Sequence, residues 1–212
     1  MGLASHYRKS NFDLMKNLRP LFLLSHEITH LNHGAFGACP KPIFEDYQKW
    51  QLELEKNTVH FFAVKGPVLL AKSRAALANF VGCEADDIVY TMNPSYALNI
   101  IIKGFGLKEG DEILATDLEY GAMNRSWNYY CKKAGAKYVQ QKITLPVVSK
   151  EKIIEEFFAG LTSNTKAIFI SHVTSTTALR LPVEEICDIA KAKGLITIVD
   201  GAHVPGHIPL DL

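Results

Sequence analysis

The run Leu195-Ile-Thr-Ile-Val-Asp200-Gly-Ala-His203 limits the possible folds more than any other part of the chain. Apolar and β-branched residues follow one another without polar alternation and lead straight into an acid. Such a strand is buried on both faces, as in parallel sheets covered by helices. Ligands of these sheets lie just beyond the carboxyl ends of the strands. Asp200 is therefore expected at the rim of a crevice. A carboxylate there needs a cationic partner, or it takes up a proton.

Upstream, the same kind of segment recurs between helical patterns. Strands are predicted at Asp87–Thr91, Glu112–Thr116, Ala136–Lys142 and Lys166–Ser171. Helices are predicted from about Ser95 to Lys103, Tyr120 to Lys133, Lys150 to Phe158 and Val183 to Ala192. Before them, Pro42 to Lys56 carries Ile43, Tyr47, Trp50 and Leu54 at helical spacing. Pro67 to Phe80 has a proline in its first turn and Gly82 past its end. Residues 1–20 read as an amphipathic helix stopped at Pro20. Leu21 to Leu31 reads as extended chain, and Asn32-His-Gly-Ala-Phe-Gly37 as a loop. The alternation predicts an α/β fold, a mostly parallel sheet between two layers of helices.

The 212 residues are 48% hydrophobic and 21% charged with net charge +1, which suits one sizeable core and gives no sign of nucleic acid as a partner. No apolar run approaches the length of a membrane span. Arg8, Lys9, Lys16 and Arg19 lack the long apolar segment of a targeting peptide. Cys39, Cys83, Cys131 and Cys187 are widely spaced, so reduced thiols and a cytoplasmic location are expected.

Polar residues gather after several strands: Asn93-Pro-Ser95, Asp117-Leu-Glu-Tyr120, His172-Val-Thr-Ser-Thr-Thr177 and Asp200-Gly-Ala-His203. Singly, each reads as a solvated connector; together they describe one crevice. Asn93 suits an N-cap and Pro94 the first helical position, and the amides of such a start attract phosphate. Tyr120 is placed to stack on a planar ring or simply to pack. His172 and His203 suit hydrogen bonding to a ligand, but singly each reads first as serving the fold. The small residues after Asp200 permit close approach by a cationic ring.

Asn32-His-Gly-Ala-Phe-Gly, Thr91-Met-Asn-Pro-Ser-Tyr-Ala-Leu-Asn, Ser171-His-Val-Thr-Ser-Thr-Thr-Ala and Val199-Asp-Gly-Ala-His together resemble the class V aminotransferase-fold enzymes that use pyridoxal 5′-phosphate (PLP), and within them the isopenicillin N epimerase-like branch. The resemblance runs from about Phe22 to the last residue. It implies a three-layer α/β/α sandwich, the fold type I large domain, incomplete at its C-terminal side. Residues 1–40 would be an N-terminal helix and substrate-side loop, and 41–212 a partial PLP-binding domain.

The resemblance also implies roles. Asp200 pairs with the pyridine nitrogen and keeps the ring protonated. Residues Asn93, Pro94 and Ser95 form the phosphate cup. Tyr120 stacks on the ring, Ser175 approaches the phenolic oxygen, and His203 lies near that oxygen or the phosphate. His33 and Gly34 belong to the loop that approaches the substrate. His33, Tyr120 and His203 are thus the candidate catalytic residues and an amino acid the substrate. The partner is a second copy in a homodimer. Epimerisation, transamination and C–S cleavage all remain open.

Two departures stand out. Pro94 removes one amide from the phosphate cup. The family's Schiff-base lysine lies roughly two dozen residues beyond the Asp motif, whereas Lys193 is the last lysine here. The family's strand order 3-2-4-5-6-7-1 would be represented only by its first five strands, with Asp87–Thr91 cut off from its neighbours. The expectation is the front part of a longer enzyme, or a split or truncated product not competent alone. A rival reading is a catalytically empty fragment or interaction module. Another is a zinc hydrolase, since His26-Glu27-Ile-Thr-His30 spells a zinc-protease signature, which requires a helix. Beyond this motif no metal site is expected. No Gly-x-Gly-x-x-Gly follows any strand, which speaks against a dinucleotide-binding fold.

Overall fold

The computed structural model describes residues 18–212, which divide into two compact units at Ser73 and Arg74. Among the described residues no helix is long and apolar enough to cross a membrane.

In the first unit, Pro20 lies in a 3-10 turn, Arg19–Leu21; the rest of the predicted N-terminal helix falls outside the described residues. Within Leu21–Leu31, expected as extended chain, Phe22 is extended and forms one antiparallel bridge with Pro40, while His26 and Glu27 form a turn. Helix α1 (Lys41–Lys56) follows, with Pro42 in its first turn. Asn57 interrupts the helical path and restarts it. Its side chain accepts the His60 N–H at 3.0 Å, capping one helical turn, Thr58–His60. A π turn, Phe61–Lys65, then leads into helix α2 (Gly66–Val81). The sequence pattern did not predict Thr58–Lys65 as helical, because β-branched Thr58 and Val59 favour strands.

The second unit holds helices α3 (Pro94–Gly104), α4 (Gly121–Ala134), α5 (Lys150–Phe158) and α6 (Val183–Ala192), with strands β1 (Glu112–Thr116), β2 (Lys137–Gln141), β3 (Thr165–Ser171) and β4 (Ile196–Asp200). The strands form one parallel sheet in the order β2-β1-β3-β4. Side chains alternate across it. On one face Ile113, Phe169 and Ile198 pack with Leu98 and Ile102 of α3 and Trp127 of α4. On the other, Leu114, Ile168 and Ile170 pack with Ile153 and Phe157 of α5 and Ile186 of α6. This is the predicted three-layer sandwich.

Local chemistry marks the helix ends. Ser149 accepts the Lys152 N–H at 3.2 Å to start α5. Gly135, at φ 71°, closes α4 by donating to the carbonyls of Cys131 and Lys132, a left-handed cap that glycine takes without a Cβ penalty.

The strand predicted at Asp87–Thr91 does not form. Ala85–Asp87 is a 3-10 turn, Ile88 is extended, and the chain onward joins no ladder. Extended backbone becomes a strand only when a neighbour takes its amides and carbonyls, and none of the four strands lies beside this one. Val89 is accordingly 81% exposed.

Within the second unit, which begins inside α2 at Arg74, the last residues meet Val81 and Gly82. The Leu212 N–H donates to the Val81 carbonyl at 3.1 Å. Gly82 has φ +77°, and a Cβ there would lie 2.7 Å from the Asp211 Cα.

Candidate functional site

The sheet is parallel, so the loops after β1, β3 and β4 leave from one edge. Ser171 and Asp200 are register partners at the ends of β3 and β4. The His172 N–H donates to the Asp200 carbonyl at 2.9 Å. Alternation puts the Asp200 side chain on the face of Ile198, the side covered by α3 and α4. Its carboxylate is buried, with Oδ1 accepting the Ala202 N–H at 3.0 Å. Among the described residues no group donates to Oδ2.

Beside it lies a residue that the sequence pattern did not single out. Glu119, in the loop after β1, is only 4% exposed. Its Oε2 accepts the Ser171 N–H at 2.8 Å and the Ser171 hydroxyl at 2.5 Å, and its Oε1 accepts the Thr116 hydroxyl at 2.6 Å. Burial pushes its carboxyl up to about 7, the three hydrogen bonds oppose this, and the Asp200 charge adds to it. The available signal was its place one residue before Tyr120, in a loop that follows a buried strand.

Tyr120 stands at the N-terminus of α4, half exposed, with its carbonyl accepting the Met123 and Asn124 N–H groups. Asp117, nearby, accepts the Ile143 N–H at 3.0 Å and so fixes the same loop. Ser175 lies exposed in the turn after β3, which closes with the Ala178 N–H on the Thr174 carbonyl. His203 is half-buried in the turn after β4, and its carbonyl meets Nδ1 of His207 at 2.7 Å. His172 is buried, and Nε2 has no hydrogen-bond partner. The ring lies 3.8 Å from the Glu184 carboxylate, and burial holds its pKa below the ordinary imidazole value.

Asn93 caps α3 as predicted: its side chain accepts the Tyr96 N–H at 2.8 Å. The Ala97 N–H goes to the Asn93 carbonyl. Pro94 has no N–H, so Ser95 supplies the one amide in this first turn that is left for an anion. Replacing Asn93 by Ala is expected to lower stability by about 1 kcal/mol, read by urea unfolding; an unchanged midpoint would deny the cap its role.

His33 belongs to the first unit. Its ring packs edge-on against His30 at 4.4 Å, and Nδ1 accepts the Ala38 N–H at 3.4 Å. Gly34 follows in the same turn. His26 and Glu27 form a turn closed by the Ile28 N–H on the Ser25 carbonyl, and no helix runs from there to His30. The two imidazoles of the zinc-like signature therefore do not share a helix face, which removes its structural basis. Among the described residues no three His, Cys, Asp or Glu side chains cluster as a metal site. Two surface hollows, of about 560 and 580 Å³, are lined by none of the candidate residues.

The class-V aminotransferase profile matches residues 37–212. The chain belongs to the class-V aminotransferase family. Within that family, isopenicillin N epimerase of Streptomyces clavuligerus is 32% identical over 196 residues, an alignment covering 92% of this chain and 49% of that protein. The apo structure of cysteine desulfurase from Thermococcus onnurineus NA1 superposes with TM-score 0.76 at 27% identity, over 90% of this chain and 48% of that one. A structure of C-DES with glycine covalently linked to its PLP cofactor gives TM-score 0.78 at 24% identity, over 91% and 51%; this likeness concerns the fold. The chain thus spans about half the length of the curated class-V relatives it matches.

The fold is that of the PLP-dependent transferase fold type I. The observed order β2-β1-β3-β4 corresponds to 3-2-4-5 of the expected series, counted with Asp87–Thr91 as the first strand. Asp200 fits a protonated ring nitrogen, since it is a buried carboxylate with one oxygen fixed and the other without a donor. The start of α3 fits a phosphate less fully, with the Ser95 amide and hydroxyl available while Asn93 occupies the Tyr96 amide.

Proposed function

We propose that this chain is the cofactor-binding part of a PLP-dependent enzyme acting at the Cα of an amino acid. The observation that carries this reading is the Asp200 carboxylate at the end of β4, buried, half satisfied and flanked by small residues. When bound, PLP supplies a ring that draws electrons from the amino acid's Cα. The protein's share is to bind and orient. Asp200 holds the proton on the ring nitrogen, since an anion beside a cationic acid opposes its ionisation. Ser95 grips the phosphate with its amide and hydroxyl at a helix start. Tyr120 covers a ring face. Ser175 would serve the phenolic oxygen, and His203 that oxygen or the phosphate. His33 is the remaining catalytic candidate, carried by the family resemblance alone.

Likeness to isopenicillin N epimerase favours epimerisation, with transamination and C–S cleavage in the same class of chemistry. A homodimer and a cytoplasmic location belong to the same proposal. A second reading is a PLP-fold module that binds without turnover. Lys191 and Lys193 favour it: they end α6 and lie before β4, a strand's length, roughly 3.3 Å per residue, from Asp200.

Equilibrium dialysis against pyridoxamine 5′-phosphate tests the shared part. The wild-type chain is expected to bind it and Asp200→Asn to weaken binding more than tenfold; no binding by the wild type overturns the proposal. Exchange of the Cα proton of an added amino acid in D2O with PLP then separates an enzyme from a silent module.

A further inference from the structure

The loop from Thr116 to Tyr120 is fastened by one side chain. Glu119 takes the hydroxyl of Thr116, the last residue of β1, and both the N–H and the hydroxyl of Ser171, the last residue of β3. Ser171 pairs with Asp200 across the β3–β4 ladder, and the next amide along, His172 N–H, holds the Asp200 carbonyl. On the other side, Glu119 is bonded covalently to Tyr120, and its own carbonyl accepts the Asn124 side-chain amide at 3.1 Å. A single buried carboxyl thus ties the loop that bears Tyr120 to the end of β3, the strand paired with the one that ends on Asp200.

We propose that Glu119 is a positioning residue for this site, clamping β1 to β3 so that the Asp200 carboxylate and the Tyr120 ring are held ready for a cationic aromatic phosphate. This rests on the reading of Asp200 given above. The structural alternative is a buried acid that merely stiffens the sheet edge, and electrostatics separates the two. Two titratable groups are coupled to Glu119: Asp200 from β4, whose charge acts on it, and Tyr138 from β2, on which the Glu119 charge acts. The Tyr138 phenol, donating to Asn124 at 2.8 Å, is held well above its ordinary value by burial and stays neutral. The Asp200 charge opposes ionisation of Glu119. A cation placed on Asp200 cancels that opposition, so binding and ionisation of Glu119 favour each other.

The test uses the whole chain and pyridoxamine 5′-phosphate, which lacks the aldehyde that would react with surface lysines. Dissociation constants are measured from pH 5.5 to 8.5 for the wild type, Glu119→Gln and Asp200→Asn. The ligand titrates identically in all arms, so the ratio of the Glu119→Gln constant to the wild-type constant isolates the carboxyl. That ratio is expected near one at pH 5.5, where both side chains are neutral, and at least tenfold by pH 8. A stiffening role alone gives a ratio independent of pH, and that result overturns the proposal. If the wild type binds and Asp200→Asn does not, yet Glu119→Gln matches the wild type throughout, the cofactor reading stands and the positioning role falls. If the wild type does not bind, both fall.

Should Glu119→Gln fail to fold, the side-chain carboxyl 13C resonance of Glu119 in the wild type carries the test. Its titration near pH 7 is expected to move to lower pH on adding the probe. No movement overturns the proposal.

Discussion

Between pH 4.5 and pH 7 the folded chain is expected to lose about 3 kcal/mol of stability relative to its Glu119→Gln variant. Glu119 titrates near its ordinary 4.5 when unfolded and is pushed up to about 7 by burial in the native state. The native protein therefore binds more protons than the unfolded chain across this window, and stability falls as pH rises. The contribution is fully present below 4.5 and exhausted above 7. At about 1.4 kcal/mol per pH unit the interval gives the stated magnitude. With the residue 4% exposed, solvent screening takes little from it. His172 acts in the opposite sense, because burial lowers its pKa, so the wild type alone would show a blunted slope. The variant shares His172, and the difference between the two proteins removes it. Urea unfolding at several pH values measures that difference; a gap constant with pH would mean that Glu119 is ionised throughout.

Trp127→Ala is expected to be the most costly single truncation in the second unit, at roughly 3–5 kcal/mol. Trp127 is fully buried on α4 and lies between Phe105, Tyr138 and Phe169, with ring centroids at 6.3, 6.3 and 5.8 Å. Removing the indole opens a cavity at the point where α4 meets the sheet. Trp127→Phe is expected to cost clearly less. The indole N–H has no acceptor, and an unsatisfied buried donor is a burden that phenylalanine does not carry. Denaturant midpoints of the three proteins check the order. A loss below 1 kcal/mol for the alanine variant would show that the neighbouring rings close over the gap.

Both expectations depend on an architecture that the sequence pattern conveyed well in its middle and poorly at its margins. Glu112–Thr116 and Lys150–Phe158 appear with the predicted bounds, because each has a clear apolar period and a clear stop. Asp87–Thr91 has a strand-like composition, yet composition does not supply a neighbour, and pairing is decided at long range. Thr58–Lys65 fails for the opposite reason: a locally poor helical sequence is carried between two good helices. Asp200 was readable because an apolar strand ends on it, although the burial expected on both faces is not met: β4 is the last strand in the sheet order and leaves Ile196 and Val199 exposed. Glu119 was not, because a lone glutamate in a polar loop normally faces water. Only the fold shows that this one turns inward to meet Ser171, a residue 52 positions away.

Gly82 has a consequence for anyone who scans this protein by mutation. It lies at a helix end, outside the candidate site, where substitutions are ordinarily harmless. Yet its left-handed backbone and the nearness of Asp211 leave room for hydrogen and nothing larger. Intolerance there would report how the polypeptide is routed, and it should not be mistaken for a trace of chemistry.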